Sequence, residues 1–147
     1  VFSRANYAAF AAARSAKRGL DNVRVMSGDA LRLLAEVIPD NALAAVHVYF
    51  PDPWWKKKHH KRRVFRSSFV RDIERVLVQG GSLHFWTDVE EYFRESLELL
   101  AAETKLVGPL EVAERAAEND LDYRTHFERR TRLSGLPVYR SEFRKEA

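Results

Sequence analysis

Cysteine is absent from the chain. Disulfides, thiolate nucleophiles and cysteine-ligated zinc are excluded together, and the absence fits a reducing cytoplasm. Long apolar runs are missing too. Charges interrupt each of them well short of the roughly 20 residues a membrane helix needs, so no membrane partner is expected. No charged-then-apolar leader pattern precedes the first helical stretch. Glycine and proline are sparse, six and five in 147 residues, which leaves no material for a flexible linker or a low-complexity segment.

What is present suits a soluble α/β domain. Apolar residues make up 46% and charged residues 31%, enough for one hydrophobic core and one domain over residues 1–147. Net charge is only +4, but it is unevenly distributed. Seven Lys or Arg and no acid fall between Lys56 and Arg66, whereas Asp88 to Asp122 holds eleven acids against three bases. Arg124, Arg129, Arg130 and Arg132 then restore a basic patch. Two basic clusters around an acidic span predict a surface that grips a polyanion at defined places.

The periodicity predicts a helix over 2–18, with Ser3 as a cap and Gly19 as its end. It predicts a short strand over 22–26, a helix over 30–37 and a turn at Pro39-Asp40-Asn41. The near-continuous apolar run 44–50 reads as a strand buried on both faces. A long polar loop follows from Pro51 to about Val64. Ser67 or Ser68 is expected to cap a helix running to Val78, closed by Gly80-Gly81. Then come a strand over 82–87, an amphipathic helix over 89–102 with Phe93, Leu97 and Leu100 inward, a strand near 105–112, a loop over 115–122 and a final strand over 137–143. Strands alternating with helices imply a mainly parallel sheet with helices on both faces.

Ligands of open α/β sheets bind beyond the carboxyl ends of the strands. Three carboxylates stand at such ends: Asp29, Asp52 and Asp88. Asp29 and Asp88 each also read as helix N-caps. Asp52 lies between two prolines, which stiffen the backbone around it, with Trp54 and Trp55 beside it. A carboxylate on a stiff turn next to indoles is a good holder for a planar aromatic substrate, and the adjoining bases suit phosphate. His59 and His60 lack a further ligand at suitable spacing, so no metal is expected.

The string Phe50-Pro51-Asp52-Pro53-Trp54, followed by Lys56, Lys58, His59, Lys61, Arg62 and Arg63, resembles the bacterial-type tRNA (guanine-N7-)-methyltransferases. Supporting matches are Asn22-Val23-Arg24-Val25, Gly28-Asp29-Ala30, Pro39-Asp40-Asn41, Gly80-Gly81 leading to Thr87-Asp88, and Thr125, Phe127, Glu128 and Arg129. The resemblance implies a Rossmann-like class I methyltransferase fold using S-adenosyl-L-methionine, acting on guanosine 46 in the tRNA variable loop. It implies that Asp29 and Ala30 lie by the adenine of the cofactor, and that Asp52 is the catalytic residue, close to both methyl donor and guanine. Lys56, Asp88, Thr125, His126, Phe127 and Glu128 are implied substrate contacts, and Lys58, His59, Lys61, Arg62 and Arg63 an RNA-binding segment.

Against that family pattern, the glycine-rich cofactor loop and the first two strands are missing, and the chain starts at Val1 rather than methionine. A truncated, incomplete fold is therefore expected, with a gap in the sheet between the strands at 22 and 44, and with either poor stability or abnormal docking of the N-terminal portion. His126 replaces a lysine, and Gly135-Leu136-Pro137-Val138-Tyr139 replaces a glycine–histidine–glycine–valine–tryptophan stretch. The competing readings are an RNA-binding module without catalysis and a methyltransferase for another substrate. Monomer and homodimer are both compatible with the sequence.

Overall fold

The structure, a computed structural model, describes residues 4–113, 116, 117, 119 and 125–146, without the side chain of Lys57. Ser3 and Arg124 lie outside the described residues, as does most of the loop expected over 115–122. The chain divides into two compact units, Val1–Ile38 and Pro39–Ala147.

In the first unit, helix α1 (Ala5–Lys17) forms from an alanine-rich run with Arg14 and Lys17 in its last turn. Gly19 takes φ 66°, and the Gly19 and Leu20 amides donate to the Ala16 and Ser15 carbonyls, so the helix ends where the glycine predicts. Helix α2 (Ala30–Arg32) widens into a π-helical turn, Leu33–Val37, so the expected helix over 30–37 is present. Residues 22–26 form no strand. The alternation is there, but a strand needs a neighbour to take its amides and carbonyls, and the sheet of this structure includes none of these residues.

The second unit holds a four-stranded sheet in the order β1-β2-β4-β3, built from β1 (Leu43–Tyr49), β2 (Leu77–Thr87), β3 (Val107–Leu110) and β4 (Tyr139–Arg144). β1 and β2 are parallel; β2 with β4, and β3 with β4, are antiparallel. The expectation of a mainly parallel sheet is therefore corrected: β4 turns back beside β2, a pairing direction that local periodicity does not encode. β1 is half-buried, not buried on both faces, because it is the edge strand of this sheet.

Helices α3 (Ser67–Val76) and α4 (Glu90–Glu103) contact each other and both contact β2. Both helices thus share one side of β2. On α3 the buried positions Phe69, Val70, Ile73 and Val76 follow helical spacing. They meet Phe65, Leu83, Phe85, Tyr92 and Leu100 in the core. The Phe85 ring lies 4.2 Å from Phe65, 6.0 Å from Tyr92 and 5.8 Å from Phe93. Truncating such a fully buried phenylalanine to alanine costs about 3–5 kcal/mol. The buried stripe of α4 is Tyr92, Ser96 and Leu100; Phe93 and Leu97 flank it half-buried.

Two caps differ from expectation. Arg66 is the N-cap of α3 and makes no side-chain cap, with Ser67 already inside the helix. The helix ends at Val76, and Gly80-Gly81 belongs to β2. A Cβ on Gly81 would stand 2.8 Å from the Val78 carbonyl and 3.1 Å from that of Ala44, so the glycine permits β1 and β2 to close together. Lys145 binds the α3 C-terminus instead, its Nζ donating to the Glu74 and Leu77 carbonyls and to Asn41 Oδ1. Asn41 takes φ 51° within the expected Pro39-Asp40-Asn41 turn. Among the described residues no helix is long and apolar enough to cross a membrane.

Candidate active site at the strand ends

β1 and β2 run in the same direction, so Tyr49 and Trp86 deliver their following residues to one end of the sheet. Phe50 still donates its amide to the Trp86 carbonyl at 2.8 Å, then turns sharply with φ 48°. Trp54 has φ 47°. A left-handed conformation costs a non-glycine residue roughly 1–2 kcal/mol, so two within five residues mark a shape imposed by its surroundings. Pro51 and Pro53 lie between them. Asp52 Oδ1 accepts the Trp54 amide at 2.9 Å, which closes the turn and leaves Oδ2 outside it. Asp52 is exposed.

The expected polar loop contains a 3₁₀ helix, Lys57–Arg62. It folds back on Trp54: the His59 ring stacks on the indole at 5.9 Å and 8°, and the Arg62 guanidinium lies 5.0 Å from the indole centroid. Lys56, Lys58, Lys61 and Arg62 are exposed, while His59 and His60 are half-buried. Trp55 is 72% exposed.

Arg63 points the other way. Its side chain is 6% exposed and bound to Pro53, His60 and Glu95. Burial pushes the Tyr92 phenol, over whose ring Arg63 lies, above its ordinary value, so it stays neutral. The phenolic oxygen accepts the Phe65 amide at 3.4 Å.

Asp88 follows β2 and is half-buried, but it caps no helix: the N-cap of α4 is Val89, whose amide goes to Thr87 Oγ1 at 3.2 Å. Helix α5 (His126–Leu133) starts at the Thr125 cap, where Oγ1 accepts the Glu128 amide at 3.0 Å. His126 is exposed and Phe127 is 37% exposed, its ring 4.8 Å from that of Phe50. The structure therefore brings the Asp52 turn together with the start of α5. Glu128 is 3% exposed and accepts from Arg140 at 3.1 Å and Arg132 at 3.4 Å. Arg63 and Glu128 are the two expected substrate contacts that the fold turns inward, Arg63 toward the exposed Glu95 and Glu128 toward the buried Arg140.

In the first unit Asp29 does cap α2, Oδ1 accepting the Leu31 amide at 2.9 Å. Beside it an open cleft of about 240 Å³ is lined by Met26, Gly28, Asp29, Leu33 and Val37 among others. Ala30 is half-buried at the helix start. Among the described residues no group of three or more His, Asp or Glu could hold a metal.

A family model described as "Putative methyltransferase" matches residues 3–141. The chain belongs to this methyltransferase family. It is similar to the tRNA (guanine-N(7)-)-methyltransferase of Rhodopirellula baltica, 50% identical over 147 residues, covering 96% of this chain and 54% of that protein. The protein of the same name from Ralstonia nicotianae is 44% identical over 133 residues, covering 89% and 51%. The one from Aromatoleum aromaticum is 46% identical over 127 residues, covering 86% and 48%. The chain thus spans about half the length of the curated relatives it matches. Among solved structures it resembles a SAM-dependent O-methyltransferase from Thermotoga maritima, with TM-score 0.55, 17% identity and coverage of 99% of this chain and 48% of that one. It also resembles the cyclase SpnF, with TM-score 0.53, 22% identity and coverage of 72% and 42%. These likenesses give the family member its fold, the Rossmann-like α/β fold of methyltransferases.

The residues that sequence reasoning missed in this family member are Tyr92 and Glu95, which hold Arg63, and Arg140, which holds Glu128. Tyr92 stands one step from Phe93 on the amphipathic helix, and the one-residue phase was the signal available.

Proposed function

We propose that this chain is part of a cytoplasmic tRNA (guanine-N7-)-methyltransferase that uses S-adenosyl-L-methionine and acts on guanosine 46 in the tRNA variable loop. The observation that carries the reading is the strained turn at the end of β1. It sets a carboxylate, an indole and a basic 3₁₀ helix side by side, against the aromatic start of α5. The names of the similar proteins support the same reaction.

The residues fit the cofactor. Asp29 offers a carboxylate and the start of α2 its amides, beside a cleft whose apolar wall of Met26, Leu33 and Val37 suits a purine face. Asp29 and Ala30 would hold the adenine part. When bound, the cofactor supplies a sulfonium-activated methyl group.

The remaining work falls to positioning. Guanine N7 carries an in-plane lone pair and no proton, so no base is needed to start the reaction. Asp52 accepts hydrogen bonds from the guanine ring N–H and amino group, orienting the base. Its charge also stabilises the positive charge that the purine gains. Alignment of donor and acceptor contributes up to about 7–11 kcal/mol in the best-oriented systems. Lys56, Asp88, Thr125, His126 and Phe127 frame the base, and Lys58, His59, Lys61 and Arg62 hold the phosphates.

The test is transfer of labelled methyl groups from S-adenosyl-L-methionine to unmodified tRNA, by this chain and by a form extended upstream. N7 chemistry is read by borohydride reduction and aniline cleavage. Cleavage at guanosine 46 supports the proposal. tRNA bound without label transfer by either form favours an RNA-binding module.

A further inference from the structure

Arg63 sits in a run of bases, yet its three nitrogens serve three different pieces of the fold. Nε donates to the Pro53 carbonyl at 2.7 Å, and Nη2 lies 3.1 Å from His60 Nε2. Nη1 donates to Glu95 Oε2 on α4, and the guanidinium carbon lies 4.6 Å from the Tyr92 ring centroid. Pro53 is the residue directly after Asp52, so Arg63 holds the far side of the turn that Asp52 Oδ1 closes on Trp54. Behind the loop, a cleft of about 220 Å³ is lined by His60, Arg63, Phe65, Tyr92, Glu95 and Ser96. Close packing is incomplete there, and polar bonds tie the loop to α4. Planar and five-donor, a guanidinium can reach these partners together; an ammonium cannot.

We propose that Arg63 is a positioning residue: it clamps the Pro51–Trp54 turn to Tyr92 and Glu95 on α4, fixing where Asp52 stands, and makes no phosphate contact with RNA. This deepens the methyl-transfer reading of the loop and rests on it for its consequence in catalysis. Arg62, one residue earlier and exposed, remains the phosphate-facing base.

The experiment compares Arg63→Lys, Arg63→Gln, Glu95→Gln and Arg62→Ala in the chain. Chymotrypsin cleavage at Trp54 and Trp55 under native conditions reports loop opening, with thermal unfolding as the folding control. Arg63→Lys and Glu95→Gln are cut several-fold faster, and the double variant no faster than the worse single one. In tRNA binding titrated against salt, the slope of log affinity on log salt is unchanged for Arg63→Gln and Glu95→Gln. It falls by roughly 0.9 for Arg62→Ala, as for one lost phosphate. Where methyl transfer is measurable, the clamp variants lose kcat by up to about a hundredfold with KM little changed. Cleavage no faster in Arg63→Lys and Glu95→Gln than in the unsubstituted protein, or a slope lost in Arg63→Gln equal to that of Arg62→Ala, overturns the clamp. Should Arg63→Lys fail to fold, Glu95→Gln decides alone, since it leaves Arg63 in place. Faster cleavage in a protein that neither binds tRNA nor transfers methyl groups keeps the clamp and removes only the reading of the reaction.

Discussion

The ring of Phe50 lies 4.8 Å from the ring of Phe127, inclined at 38°. Phe50 is the first residue past β1, held at φ 48°, and Phe127 is the second residue of α5. Their contact fastens the turn that carries Asp52 to the segment Thr125–Glu128, distant in sequence. The guanidinium of Arg130 lies 5.1 Å from the Phe127 ring as well. An aromatic pair of this geometry contributes about 0.5–1.5 kcal/mol beyond burial. A double-mutant cycle of Phe50→Leu and Phe127→Leu in urea is expected to return a coupling of that size. Additivity within about 0.3 kcal/mol would remove the link.

Thr125 acts on stability through its hydroxyl. Thr125→Ala loses the cap on the Glu128 amide and about 1 kcal/mol, and Thr125→Ser recovers most of it. Urea midpoints at unchanged slope measure this; a serine no better than alanine would contradict it.

Glu128 separates a ligand contact from an internal ion pair. At 3% exposure against Arg140 at 6%, Glu128 forms a buried ion pair that its removal breaks. Glu128→Ala is expected to cost about 3–5 kcal/mol in denaturant unfolding. Full stability with weakened tRNA binding would return Glu128 to the substrate contacts.

Glu103 ties α4 to α3. The Arg71 guanidinium, with the Ser67 hydroxyl behind it, holds the Glu103 carboxyl below the ordinary range. A lowered folded value means the contribution is fully present above the ordinary glutamate value, about 4.3. It is lost as pH falls through the folded value. Glu103→Gln should therefore flatten the acid limb of the stability profile below about pH 4.3. An acid limb unchanged by the substitution would show that the pair contributes nothing there.

Much of this was legible in the sequence. α1 ended at its glycine, Pro39-Asp40-Asn41 turned, and the carboxylates of Asp52 and Asp88 followed strands, because each rests on local chemistry. Residues 22–26 had the strand pattern and no partner strand, and periodicity cannot supply a partner. The direction of β4 was hidden for the same reason. Phe50 and Trp54 carry no local signal for positive φ, as glycine or asparagine would; tertiary contacts impose it. Arg63 was hidden by its company, since in a run of bases each looks solvated. The clue was phase: in a 3₁₀ helix His60 and Arg63, three apart, share a side, and that side faces inward.

The central claim is that the charge of Asp52, and not its bulk, serves methyl transfer. Asp52→Asn keeps an oxygen for the Trp54 amide and so preserves the turn. The decisive measurement is single-turnover methyl transfer to tRNA alongside tRNA binding, for this variant and the unsubstituted protein in an active form. The account predicts unchanged tRNA affinity and turnover lower by about 10²–10³-fold. Unchanged turnover would contradict it.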